Sequence, residues 1–208
     1  MIVTPVGNLL VRAGVHPNVL SVAGLVLSLI AALIYSTGSF FWGACMVTLA
    51  GICDTLDGQL ARETGKESTF GAFFDSTLDR YSDLFILIGL SWHFAGGAAF
   101  ILGKGAGIDT FHSPLAVLFI ILAAGGSFMV SYTRARAEAL GLNCDVGLMQ
   151  RPERITVLAI GTALGAIPVI GGVLIKSTLL ILAILTNLTA IQRILYIRRQ
   201  FFKESKIQ

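Results

Sequence analysis

Charged side chains are scarce. Asp, Glu, Lys and Arg make up 13% of the 208 residues, about half the ~25% of an ordinary soluble domain. Cysteine is nearly absent too. Cys45, Cys53 and Cys144 have no metal-ligand spacing, which excludes a thiolate zinc site, and nothing in them requires an oxidising compartment. Cys45 and Cys53 sit in an apolar stretch and read as small packing residues. His16, His93 and His112 are isolated, so no histidine cluster is available to hold a metal. No internal repeat, linker or low-complexity tract divides the chain, and a single domain over 1–208 is expected. No cleavable leader is expected in the first residues, which read instead as a short amphipathic segment ending at Gly14.

Hydrophobic residues are abundant, at 55% of the chain with a mean hydropathy of +0.81. A lipid bilayer accounts for this excess, because each crossing helix needs about 20 mostly apolar residues. Six spans are read, at about 18–37, 40–59, 73–94, 114–137, 152–170 and 173–196. The expected fold is therefore all-α and integral to the membrane: a surface helix over 1–15, a six-helix bundle over 18–196 and a basic cytoplasmic tail over 197–208. With both termini cytoplasmic, all of the 15 Lys and Arg except Lys104 and Lys176 fall at cytoplasmic ends. The positive-inside rule favours that orientation in a multi-pass protein of the cell membrane.

Against this apolar background the acidic residues of 54–79 stand out. Asp54 and Asp57 are spaced i,i+3, and Asp75 and Asp79 i,i+4, so each pair shares a helix face. The short connection around Thr64–Thr69 suggests neighbouring antiparallel helices whose four carboxylates converge near the cytoplasmic side. A carboxylate at mid-membrane costs about 2.5–3.5 kcal/mol on insertion scales. Four simply summed approach roughly 10 kcal/mol, and their repulsion adds to that. Divalent cations with oxygen ligands offset both, and Mg²⁺ is the usual choice beside a diphosphate. Two other readings stay open at this point: separate aspartates paired with Arg62, Arg80 and other basic groups, and a divalent-metal or solute transporter. Gly58, Ala61 and Gly71 favour an enzyme, since small residues let a nucleotide and its phosphates approach the backbone.

The string Asp54-x2-Asp57-Gly58-x2-Ala61-Arg62-x8-Gly71-x3-Asp75-x3-Asp79 resembles the signature of the CDP-alcohol phosphotransferase (CDP-alcohol phosphatidyltransferase) family at every fixed position. The six-span layout and the surface helix extend the likeness over essentially the whole chain. The resemblance implies metal-dependent transfer of a phosphatidyl-type group from a CDP-linked lipid to an alcohol, with release of CMP. It implies that Asp54, Asp57, Asp75 and Asp79 contact metal, expected as two Mg²⁺ ions with Mn²⁺ an alternative. Asp79 would also be the catalytic base. Gly58, Ala61, Arg62 and Gly71 would line the CDP site, joined by Asn18 of the Pro17-Asn18 element. A homodimer and contacts with membrane lipids are implied as well, and no nucleic-acid partner. Asp83 continues the i,i+4 row outside the signature and is expected to pair with a basic side chain.

The signature does not encode the acceptor. Ser131, Arg134 and Arg136 end the fourth span, Arg151 and Arg154 begin the fifth, and Arg193 lies in the last. A helix N-terminus favours anions, and Arg holds phosphate in a fixed fork. These residues are expected to bind a phosphate on the acceptor, although topology signals or anionic-lipid contacts would use the same arginines. The S-Y-T-R-A-R-A-E and R-P-E-R strings resemble the phosphatidylinositol-phosphate synthase branch, whose acceptor is inositol phosphate. That branch tends to carry an acid where this chain has Asn18. Glycerol 3-phosphate, the acceptor of phosphatidylglycerol-phosphate synthases, is the alternative. Diacylglycerol and archaeal ether lipids both remain open as the donor's lipid.

Overall fold

A computed structural model describes residues 11, 14–97 and 112–204. Six helices make up nearly all of it: α1 (Pro17–Ser36), α2 (Phe40–Thr64), α3 (Thr69–Phe94), α4 (Pro114–Ala139), α5 (Arg151–Leu164) and α6 (Gly171–Glu204). No strand occurs among the described residues. The expected surface helix lies outside them apart from residues 11, 14 and 15, as do Arg12, Lys104 and Lys206.

Local chemistry sets the boundaries. Pro17 and Pro114 occupy first-turn positions of α1 and α4, where a missing N–H costs nothing. Gly65 closes α2 with φ 62°, a left-handed conformation that favours glycine. Three residues later the Ser68 hydroxyl accepts from the Gly71 N–H at 3.0 Å and caps α3. The chain therefore turns between α2 and α3 within Gly65–Ser68.

Inside and outside are inverted relative to a soluble bundle. The buried face of α1 is Pro17, Ser21, Gly24, Ser28, Ala31, Ala32 and Tyr35. Its outward face carries Val19, Val22, Val26, Leu29, Ile30 and Leu33. Small residues at helix contacts and large aliphatics facing out are what lipid solvent selects. Gly89 of α3 shows the close approach: a Cβ there would collide with the Ala32 backbone of α1. The apolar core runs from Val47 and Ile86, beside the aspartates, to the other end of the bundle, where Tyr35, Phe40 and Phe94 are buried. The Tyr35 and Thr162 hydroxyls hydrogen-bond there at 2.7 Å, tying α1 to α5.

Three expectations need correction. First, α2 and α3 pack far less on each other than each packs on α1, and they meet through their acidic side chains. Second, the fifth helix ends at Leu164, not near 170, because Gly165 and Pro168 turn the chain before α6. Its 14 residues rise about 21 Å, short of a ~30 Å hydrocarbon core. Third, residues 197–204 continue α6 as helix instead of forming a separate tail. Four helices, α1, α2, α4 and α6, are long and apolar enough to cross a membrane. α3 has the length, but carries Asp75, Asp79, Arg80 and Asp83 between its second turn and its middle.

Candidate metal centre and substrate cavities

The C-terminal half of α2 delivers Asp54 and Asp57, the N-terminal half of α3 delivers Asp75 and Asp79, and Asp83 follows one turn later near the middle of α3. One carboxylate oxygen each from Asp54, Asp57 and Asp75 lies within 4.8 Å of the others. Asp57 is the deepest, at 4% exposure. The Ser21 hydroxyl of α1 donates to its Oδ2 at 2.6 Å. Three acidic groups so close, one of them buried, repel strongly unless a cation intervenes. An all-oxygen donor set of this kind fits a hard divalent ion.

Asp79 stands outside that triad. Its Oδ1 pairs with the Arg151 guanidinium at 2.9 Å, and Arg80 approaches its Oδ2 at 3.7 Å. Arg151 also pairs closely with Asp54. On its far side Arg151 Nε is 3.8 Å from Asp83, whose other oxygen accepts from Arg154 at 2.9 Å. The expected basic partner of Asp83 is therefore Arg154, itself only 6% exposed.

Two cavities flank this ion network. The first, about 220 Å³, lies between α1, α2 and the start of α3. It collects Asn18, Gly58, Ala61, Arg62 and Gly71, all five residues expected to contact CDP, beside Asp57 and Asp75. A Cβ on Gly71 would press to 2.9 Å from the capping Ser68 oxygen, so the absent side chain keeps both cap and cleft intact. Ser21 and Lys66 also line it and were not anticipated. The available signal for Ser21 was its place in the Pro17, Ser21, Gly24, Ser28 stripe of an otherwise aliphatic helix.

The second cavity, about 370 Å³, lies between α3, α4, the start of α5 and α6. Five arginines, Arg80, Arg134, Arg151, Arg154 and Arg193, face it against three carboxylates, Asp79, Asp83 and Glu138, and Ser131 adds a hydroxyl. The formal excess of positive charge suits an anionic ligand. Arg193 is 2% exposed and donates to the carbonyls of Val146 (2.8 Å) and Val130 (2.5 Å), so it also fastens the α4–α5 connection to α6. Arg134 is held by Glu138 (2.8 Å) and Asp145 (3.1 Å). Arg136 does not line the cavity; two residues beyond Arg134 it is turned about 200° round the helix. Arg80 faces the cavity although only a salt-bridge role was expected for it.

Asp79 and Arg151 line this basic cavity and also the narrow space above Asp54 and Asp75. They form the boundary through which the acidic triad and the arginines meet.

The CDP-alcohol phosphatidyltransferase family model matches residues 14–196. Phosphatidylinositol phosphate synthase of Mycolicibacterium smegmatis is 38% identical over 165 residues, covering 79% of this chain and 68% of that protein. Archaetidylinositol phosphate synthase of Methanothermobacter thermautotrophicus is 36% identical over 186 residues, covering 89% and 85%. Two crystal structures of Mycobacterium tuberculosis phosphatidylinositol phosphate synthase (PgsA1) share the fold at 33% identity. The form with CDP-DAG bound has a TM-score of 0.77 and covers 94% of this chain and 93% of that one. The form in complex with manganese and citrate has a TM-score of 0.78, covering 94% and 88%.

Proposed function

The chain belongs to the CDP-alcohol phosphatidyltransferase family, and we propose that this membrane enzyme of phospholipid synthesis moves a phosphatidyl-type group from a CDP-linked lipid to inositol phosphate, releasing CMP. The observation that carries this reading is the shared boundary of Asp79 and Arg151, with an acidic triad on one side and a basic cavity on the other. Chemistry at such a boundary joins a diphosphate donor to a phosphorylated acceptor.

Asp54, Asp57 and Asp75 would hold the divalent metal, read as two Mg²⁺ ions, with Asp79 adjacent as a further contact. A metal held by these carboxylates would supply positive charge to offset that of the donor's phosphates. Asn18, Gly58, Ala61, Arg62 and Gly71 grip the CDP moiety. Ser131, Arg134, Arg151, Arg154 and Arg193 orient the acceptor phosphate; Arg136, turned away from the cavity, is left to the membrane surface. Asp79 takes the acceptor hydroxyl proton as the oxygen attacks the lipid-bearing phosphorus. The bond from that phosphorus to the CMP oxygen breaks, and CMP leaves. Arg151, paired with Asp79, holds the carboxylate towards the acceptor.

A purified-protein acceptor panel tests this reading. Inositol phosphate should yield CMP and a phosphorylated lipid faster than glycerol 3-phosphate, and free inositol should be poor. Equal use of free inositol would remove the phosphate-binding role of the arginines. The donor's lipid is read by running the same assay with CDP-diacylglycerol and with CDP-archaeol.

The domain reading is one unit over 1–208, a six-helix membrane bundle after a surface helix, with both termini and the site cytoplasmic. Support comes from the distribution of Lys and Arg, and a homodimer is supported by the family resemblance. A cysteine placed by Thr64→Cys, in a background lacking the native cysteines, should react with an impermeant thiol reagent only from the cytoplasmic side. Labelling from outside in intact cells would invert the orientation.

A further inference from the structure

Helical serines and threonines in apolar surroundings usually turn the hydroxyl back to a carbonyl three or four residues earlier, which satisfies the donor locally. This chain follows that habit at Thr48, Thr55, Thr64, Thr77 and Thr178, and at Ser28 on the buried face of α1. Ser21 lies on the same buried face, two helical turns from Ser28. It departs from the habit and donates across to Asp57 Oδ2 at 2.6 Å, 36 residues away in sequence. Both partners are buried, at 8% and 4% exposure.

Asp57 also belongs to the acidic triad. Its carboxylate reaches the triad from α2, while Ser21 reaches it from α1, the helix packed against both α2 and α3. A carboxylate that binds metal is commonly fixed by a hydrogen bond from a neighbouring donor, which sets its rotation and the oxygen it offers. We infer that Ser21 is a positioning residue for the metal centre: its hydroxyl locks the Asp57 carboxylate, so that α1 takes part in metal affinity without supplying a ligand. This rests on the metal-binding reading of Asp54, Asp57 and Asp75. Ser21 also lines the cleft assigned to CDP, so its effect must be separated from donor binding.

The test is direct Mn²⁺ binding to the full-length protein in detergent, followed by electron paramagnetic resonance with neither donor nor acceptor present. Ser21→Ala should weaken Mn²⁺ by about 10- to 100-fold, the range for loss of an outer-shell partner. Ser28→Ala, on the same face, should leave it unchanged. Ser21→Thr and Ser21→Val have the same shape and differ only in the hydroxyl, so they carry the test should Ser21→Ala fold poorly. Threonine should hold Mn²⁺ as the native protein does, and valine should not. At saturating metal the KM for CDP-lipid should stay near the native value in Ser21→Ala. Unchanged Mn²⁺ affinity in Ser21→Ala, or equal affinity in the threonine and valine variants, overturns the inference. A raised donor KM with native Mn²⁺ affinity would instead make Ser21 a nucleotide contact, which also overturns it. Failure of the metal reading itself is distinguishable: native protein would then bind no Mn²⁺, or Asp57→Asn would bind it undiminished.

Discussion

Asp57→Asn should lower transfer by more than the roughly 10- to 100-fold that loss of a mere outer-shell partner costs a metal site, while the protein stays folded and membrane-inserted. The asparagine keeps the shape of the side chain, and its carbonyl can still accept from the Ser21 hydroxyl that now donates at 2.6 Å. What disappears is one negative charge at a position only 4% exposed, within a triad whose oxygens lie inside 4.8 Å. The repulsion that a cation must offset is reduced, so the fold gains nothing from the metal it loses. CMP release should be followed over a divalent-metal titration, with helicity and elution volume as controls for folding. Native turnover by the variant at limiting metal would exclude Asp57 as a ligand.

Arg154→Ala should raise the apparent KM for inositol phosphate by roughly ten- to a hundredfold, from the 1.5–3 kcal/mol typical of a hydrogen bond to a charged group. KM for CDP-lipid should move far less, since its cleft lies across the acidic triad from α5. The substitution has a second consequence. Arg154 is the 2.9 Å partner of Asp83; removing one half of a buried pair costs about 3–5 kcal/mol, and less here because Arg151 stays 3.8 Å from the half-buried Asp83, so thermal stability should fall as well. The double variant Arg154→Ala with Asp83→Asn removes the stranded charge and should recover much of the stability, without recovering the acceptor KM. An unchanged acceptor KM in Arg154→Ala would reduce the basic cluster to a topology or lipid-contact feature.

Much of the site could be read from the chain itself, because charges are conspicuous in an apolar sequence. Asp54, Asp57, Asp75 and Asp79 declared themselves by i,i+3 and i,i+4 spacing, and the start of the fourth span at 114 coincides with the start of α4. The CDP cleft gathers every expected residue for the same reason: Gly58, Ala61, Arg62 and Gly71 sit on the faces that carry the aspartates. Helix adjacency was not legible. Spacing within α2 and α3 says nothing of a third helix packed against both, so the packing of α1 and the reach of Ser21 to Asp57 needed the tertiary structure. The ties of Arg151 to Asp54 and Asp79, and of Arg154 to Asp83, join residues 71 to 97 positions apart and were hidden likewise. Two misreadings had signals in view. Gly165 and Pro168 announce the early end of α5, and the 100° step of a helix already sets Arg136 away from Arg134.

The central claim is metal-dependent transfer from a CDP-linked lipid, and CMP release by purified, detergent-solubilised protein measures it most directly. CMP should appear only when CDP-lipid, a divalent metal and inositol phosphate are all present, and omission of any one should abolish it. A protein that moves metal or solute across sealed vesicles and releases no CMP under the complete condition would contradict the account.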